Sequence, residues 1–260
     1  MSGAALALHQ FRFDQKTFWR NPASVFFTVA FPVMFLVIFD LVFGNGDRIH
    51  LQGVSVGVST YYVPAIITLA VISATFQNLA MSVTIDREFG ILKRGRGTPL
   101  PDWVFFAGRI GNSLVVSFVM LVLLAGIGRI AYGVSIPWDR APAVLVTLAV
   151  GAFTFCCLGL ALTGFIPSQS AAAPITNIAI FPLYFLSGVF IPESEIPSGV
   201  LNVADVFPVR HFFDAFFAAW VSGAGTMGFK WVDLAVVAAW GVAGFLVALR
   251  AFKWTPQAAA

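Results

Sequence analysis

Apolar residues run along this chain in blocks of about twenty, the length a helix needs to cross a bilayer, and short polar breaks separate them. Six blocks fit: residues 24–43, 61–83, 110–128, 142–166, 171–191 and 232–249. Asn21-Pro22 is a helix-start signal for the first, and Pro32 is expected to kink it. Asp40, near its far end, is expected to stay wet. The second opens on Tyr61-Tyr62, an interfacial pair. Pro174 and Pro182 interrupt the fifth. Residues 44–60 read as a polar outer loop, 129–140 as an outer turn, 167–170 as an inner turn. The fold expected is an all-α integral membrane protein.

Residues 1–21 show a different pattern. Ala4, Leu8, Phe11 and Phe18 recur at helical spacings among Arg12, Asp14, Gln15, Lys16 and Arg20. This predicts an amphipathic helix lying in the interface plane, with Trp19 at headgroup level. A cleaved signal peptide is disfavoured, because the apolar run that follows is too long and lacks a small-x-small site.

Composition agrees with the pattern. Of 260 residues 59% are hydrophobic and only 10% charged, and mean hydropathy is +0.89. A soluble surface needs roughly 25% charge. A net charge of +3 is too small and dispersed for nucleic acid. Ten Lys/Arg fall on the side of the termini and residues 86–109, against five on the other, so both termini are expected in the cytoplasm. The expected location is a bacterial cytoplasmic membrane. Cys156 and Cys157, adjacent in an apolar run, read as packing residues.

Catalytic signatures do not emerge. None of the four lysines follows a glycine, so there is no phosphate loop, and His9, His50 and His211 are scattered, with no HExxH and no metal-ligand spacing. The centres of the spans are nearly bare of charge, which weighs against a gradient-driven carrier. Work would have to come from a partner.

Residues 86–109 hold five of the fifteen Lys/Arg and three of the twelve acids. Asp86 is placed to cap a short helix, with Glu88 in its first turn, Lys93 and Arg94 in its last, and Gly95 as the stop. Phe89 and Leu92 would share one face near Ile91. Such a knob suits a groove in another protein; an interfacial loop held on anionic lipid through Arg94 and Arg96 fits the residues equally.

Two further groups stand out. Thr68, Thr75, Asn78 and Ser82 recur on one face of the second span, Ser73, Gln77 and Thr84 form an adjacent stripe, and Thr176 and Asn177 interrupt the fifth span. They would either bond neighbouring helices or line a mildly polar path. Thr147, Gly151 and Thr154 read as a close-packing face. Residues 207–220 are apolar but too short to cross. Arg210 and Asp214, four apart, could pair there, neutralising each other at the outer surface or meeting a substrate.

Several motifs carry a resemblance. Asp86-Arg87-Glu88-Phe89-Gly90-Ile91-Leu92-Lys93-Arg94 followed by Thr98-Pro99 resembles the first cytoplasmic loop of the second-type ATP-binding-cassette exporter permeases. Arg20-Asn21-Pro22 resembles that family's entry to the first span. Residues 185–192, Ile196-Pro197 and Phe207-Pro208-Val209-Arg210-His211 are similar to its signature after span five, with Phe217 standing where an arginine is usual. The resemblance covers nearly the whole chain. It implies a single permease domain of residues 1–260, whose Asp86–Arg94 stretch docks in a cytoplasmic ATPase with Glu88 as acidic contact. The amino-terminal helix would brace that subunit. Two permeases, identical or related, and two ATPases would form the unit, with ATP and Mg on the ATPases and no cofactor here. Residues 192–220, with Pro208, Arg210, His211 and Asp214, would be an outer helical pair dipping back into the membrane. The function implied is export of a hydrophobic or amphipathic compound such as a drug, antibiotic or lipid-like metabolite. Export of lipid-linked polysaccharide, or a carrier without an ATPase, are the alternatives.

Overall fold

The computed structural model describes residues 3–43, 48–51, 53–97, 101–221 and 226–255. Helix α1 (Gly3–Trp19) is joined to α2 (Pro22–Phe43) by two residues. Asn21 caps α2 by accepting from the Ser24 amide at 3.2 Å, and Pro22 fills the first position, where a missing N–H leaves nothing unsatisfied. A π turn at Phe26–Ala30 contains Thr28, whose carbonyl would pair with the N–H that Pro32 lacks.

Residues 44–60 are not simply a loop. Strands β1 (Arg48–Leu51) and β2 (Val54–Gly57) form an antiparallel hairpin with Arg48 opposite Gly57. Gly53 turns it at φ +76°, the left-handed region glycine tolerates. Leu51 and Val56 alternate inward. This two-stranded ribbon is a short addition to an otherwise helical membrane protein.

Helices α3 (Val58–Glu88) and α5 (Asp102–Tyr132) have 31 residues each. At 1.5 Å per residue each is about 46 Å long, well beyond the ~30 Å hydrocarbon core. The apolar blocks 61–83 and 110–128 are therefore only their middles; the helical hydrogen-bond ladder continues into the polar ends. The short helix α4 (Ile91–Arg96) lies between them. Next come α6 (Trp138–Thr163), α7 (Gln169–Leu186), α8 (Ser198–Ala204), α9 (Pro208–Trp220) and α10 (Trp231–Ala251).

Among the described residues five helices, α2, α3, α5, α6 and α10, are long and apolar enough to cross a membrane. Helix α7 falls outside that group, since Thr176, Asn177, Pro174 and Pro182 dilute its 18 residues. It also starts and stops earlier than its apolar block. The Ser168 hydroxyl accepts from the Ala171 amide, and the chain turns at Gly188, φ +86°.

The core is built around α3, in which every residue from 61 to 76 is buried. Helices α6 and α9 pack on it, and α10 packs on α6 through small residues. Thr154 donates to the Val237 carbonyl at 3.0 Å, and a Cβ at Gly241 would lie 2.6 Å from the Thr154 hydroxyl. Without a hydrophobic driving force inside lipid, such close backbone approach is what holds helices together.

Candidate functional site

The break after α3 differs from the one the sequence predicts. The helix does not begin at Asp86; it ends at Glu88, and Gly90 at φ +69° terminates it in the left-handed conformation. Gly95, expected to stop a helix, lies inside α4. Thr98 and Pro99 lie outside the described residues. Asp86 caps nothing and instead pairs with Arg109 on α5.

Arg87 does not face a partner. Its side chain is 1% exposed and donates to the carbonyls of Thr163 at 2.7 Å and Ile166 at 2.6 Å, with Glu88 at 2.9 Å. A guanidinium with its planar fork of donors suits the orphan carbonyls at a helix end. The foot of α3 is thereby fastened to the α6–α7 turn. Leu92 is likewise buried, with Leu79, Val83 and Cys156.

What remains on the surface is narrower than the stretch Asp86–Arg94. Phe89 is 61% exposed and Ile91 46%, beside exposed Lys93 and Arg94. Glu88 lies half-buried next to Arg87. The result is a two-residue apolar knob with cations behind it, on a rigid foot.

Beside this foot, α1 lies against the base of α5. A Cβ at Gly108 would crowd Gln10 and Asp14, and Gln15 donates to the Asn112 carbonyl at 3.4 Å. Asp14, only 3% exposed, faces Arg109 at 3.6 Å and accepts from Gln10 at 3.2 Å. Burial pushes the Asp14 carboxyl above its usual value, and Arg109 pulls it back.

The polar stripe on the second span does not hold together. The π turn at Ser73–Gln77 inserts one residue, which rotates everything beyond it by about 100°. Thr68, before it, and Thr75, inside it, are fully buried and bond their own helix at Pro64 and Val71. Asn78 and Ser82, below it, are half-buried on another side. Thr176 is buried and bonds back to Ala172, whereas Asn177 accepts from Gln77 at 3.1 Å. The polar contact that remains between α3 and α7 is the Gln77–Asn177 bond.

At the other end, Pro208 starts α9, which is almost wholly buried. Arg210 is shared by Glu193 at 2.6 Å and Asp205 at 2.8 Å, and Asp214 lies farther away at 3.8 Å. The expected Arg210–Asp214 pair is thus the weakest of three. His211 joins α9 to α10, with Nδ1 2.6 Å from Asp233 and Nε2 2.8 Å from the Asp205 carbonyl. Both ring nitrogens face acceptors, so the imidazolium fits best. Sequence reasoning missed Glu193 and Asp233, which lie 17 and 22 residues from the side chains they hold, and Asp205, which is near in sequence but sits beyond the start of α9 at the end of α8.

This cluster predicts a pH dependence. Burial pushes the Asp214 carboxyl up to about 6, against the pull of Lys230 and Arg210. Burial disfavours His211 protonation, but the bonds to Asp233 and the Asp205 carbonyl outweigh it, and the ring's value is raised. Both groups hold protons more tightly folded than unfolded. Their stabilisation is therefore complete at acidic pH and is lost as pH rises through about 6 for Asp214 and above the ordinary histidine value for His211. For Asp214 the gap from ~4 to ~6 corresponds to at most ~3 kcal/mol. Thermal melts of purified protein should rise on acidification from pH 8 to 5.5, a trend that His211→Gln and Asp214→Asn should each flatten. Melting curves that ignore pH in the unaltered chain would refute this.

Comparison with known proteins bears on these features. The chain is 29% identical to the probable multidrug ABC transporter permease YbhR of Escherichia coli K12 over 161 residues, 59% of this chain and only 42% of that protein. It is 23% identical to the inner membrane transport permease YadH of the same organism, over 95% of this chain and 96% of that one. Nodulation protein J of Rhizobium leguminosarum bv. viciae is 28% identical over 75% of each chain. Residues 10–220 match the ABC-2 type transporter family, a span that takes in α1, the foot of α3 and the Arg210 cluster, and the chain belongs to that family.

Proposed function

We propose that this chain is the permease subunit of an ATP-driven exporter, moving a hydrophobic or amphipathic compound out of the cytoplasm or inner leaflet. A separate cytoplasmic ATPase supplies the work and carries the ATP and Mg2+. The working unit pairs two permeases with two ATPases. The observation that carries the reading is the knob of Phe89 and Ile91, exposed just beyond the end of α3, the most buried of the five helices apolar enough to cross. An exposed aromatic on a mobile loop would transmit nothing. Here Arg87 and Asp86 tie the knob's base to α6, α7 and α5, so a push on it reaches three helices at once.

A six-crossing layout with cytoplasmic termini follows from treating α7 as a span. One end of α7 lies by Arg87, which donates to Ile166; beyond the other end, Gly188 accepts from Tyr61 and Phe190 accepts from Tyr62. Tyr61 and Arg87 stand near opposite ends of α3, so α7 runs antiparallel along the length of a helix that crosses. The Gln77–Asn177 contact between them, with half-buried Asn78 and Ser82 farther along α3, is the best candidate for a polar lining of the path, and α9 with the Arg210 cluster closes its outer end.

Phe89→Asp or Ile91→Asp should weaken association with the partner ATPase roughly thirtyfold, the effect of removing a ~2 kcal/mol anchor. The permease itself should stay folded, since both residues are exposed. Affinity co-purification and ATP turnover of the reconstituted complex read the result, and unchanged values for both variants would sink the docking claim. Glu88→Lys is a poorer probe, because it places a second cation against buried Arg87.

A further inference from the structure

We infer that the outward face of α1 is a binding surface for anionic lipid headgroups, gripping the membrane through Arg12, Lys16 and Arg20. The argument starts from where α1 puts its one acid. Asp14 is turned inward against Arg109 and Gln10. At 100° per residue, Arg12 and Lys16 then stand on the opposite side of the helix, with Arg20 next in line at the same spacing of four. All three are exposed, and none makes an ion pair among the described residues.

Apolar side chains flank this line. Leu8 is 50% exposed, Phe13 59% and Trp19 45%. Trp19 is held by a hydrogen bond to Gln15 at 3.0 Å. Cations between apolar flanks are the surface that meets headgroup phosphates and acyl boundary together. A cytosolic face exposed to water would have no use for the apolar flanks.

Position fixes the occupant. Only Arg20 and Asn21 separate α1 from α2, a helix that crosses the membrane, so the carboxyl-terminal end of α1 cannot leave the bilayer surface. The other side of α1 is occupied by the base of α5. Lipid headgroups are what the remaining face meets at that level. This inference does not depend on the ATPase and stands or falls separately.

The test uses the full chain in phosphatidylcholine nanodiscs that carry either brominated phosphatidylglycerol or brominated phosphatidylcholine at equal mole fraction. Trp19→Phe isolates the share of tryptophan quenching due to Trp19. That share should be several-fold larger with the anionic lipid, since each basic residue at an anionic surface favours it about fivefold. Arg12→Gln/Lys16→Gln/Arg20→Gln should bring the two lipids to within about twofold, and high salt should do the same to the unaltered chain. Arg129→Gln, an exposed cation at the far end of α5, should leave the preference intact and controls for total charge. Equal quenching by both lipids in the unaltered chain would overturn the inference. So would a preference that survives the triple variant. If the triple variant keeps its lipid preference but no longer retains the ATPase, the face belongs to a protein partner and the inference is wrong.

Discussion

Arg87→Met should be among the most damaging single substitutions in the chain, lowering stability by about 3–5 kcal/mol. The side chain is 1% exposed and makes two short bonds, to the carbonyl of Thr163 at the end of α6 and to that of Ile166 in the turn after it. Bonds to a charged donor are worth ~1.5–3 kcal/mol each, and the stranded carbonyls would sit buried. Methionine fills the volume but donates nothing. Lysine keeps the charge but cannot fork to two carbonyls, so Arg87→Lys should recover less than half of the loss. Two measurements separate this from a general loss of packing. Thermal melts in detergent should fall for both variants, and a cysteine placed at Phe165, in the turn that Arg87 holds, should label faster in the Met variant. A normal melting temperature together with an unchanged labelling rate would show that Arg87 is not the fastening between α3 and the α6–α7 turn.

That fastening also marks where the sequence stops being legible. Five of the six apolar blocks mark helices that are long and apolar enough to cross, because lipid imposes one length and one composition on anything that spans it. The position of the foot was legible too, as the densest run of charge. What each charge does there was not. Arg87 belongs to the same local run as Lys93 and Arg94, yet its partners come from a turn more than seventy residues along. Phe89 and Leu92 looked like one face only while the helix was assumed to continue through Gly90. A left-handed glycine there turns Leu92 inward and leaves Phe89 out. The stripe on α3 failed for a related reason: a single π turn shifts the register, and nothing in Ser73–Gln77 advertises it. His211 was marked by a motif, but the acid that defines its protonation, Asp233, lies on α10. Local pattern survives where one solvent or one helix determines it, and fails where the partner is distant.

Gly151→Leu should be at least as severe, because it strikes the seat of α9. A Cβ at Gly151 would run into the ring of Phe212, which is itself fully buried and packs at a tilt against Phe155, 5.6 Å between ring centres. Neither neighbour can yield: Phe212 sits on a helix whose residues 215–219 are almost all fully buried too, against α3 and α6. Overpacking of a rigid core costs ~1–3 kcal/mol for small insertions; a whole isobutyl group in a site without room for a methyl should exceed that and push α9 off α6. Since α9 carries Arg210 and His211, the ionic cluster around them would separate with it. Phe212→Ala alone should cost ~3–5 kcal/mol by leaving a cavity. Together, the two changes fill each other's fault, so the double variant should be more stable than the sum of the singles by ~2 kcal/mol or more, a coupling that only residues in direct contact display. Additive losses, read from melts of the two single variants and the double, would mean that α9 is not seated on Gly151.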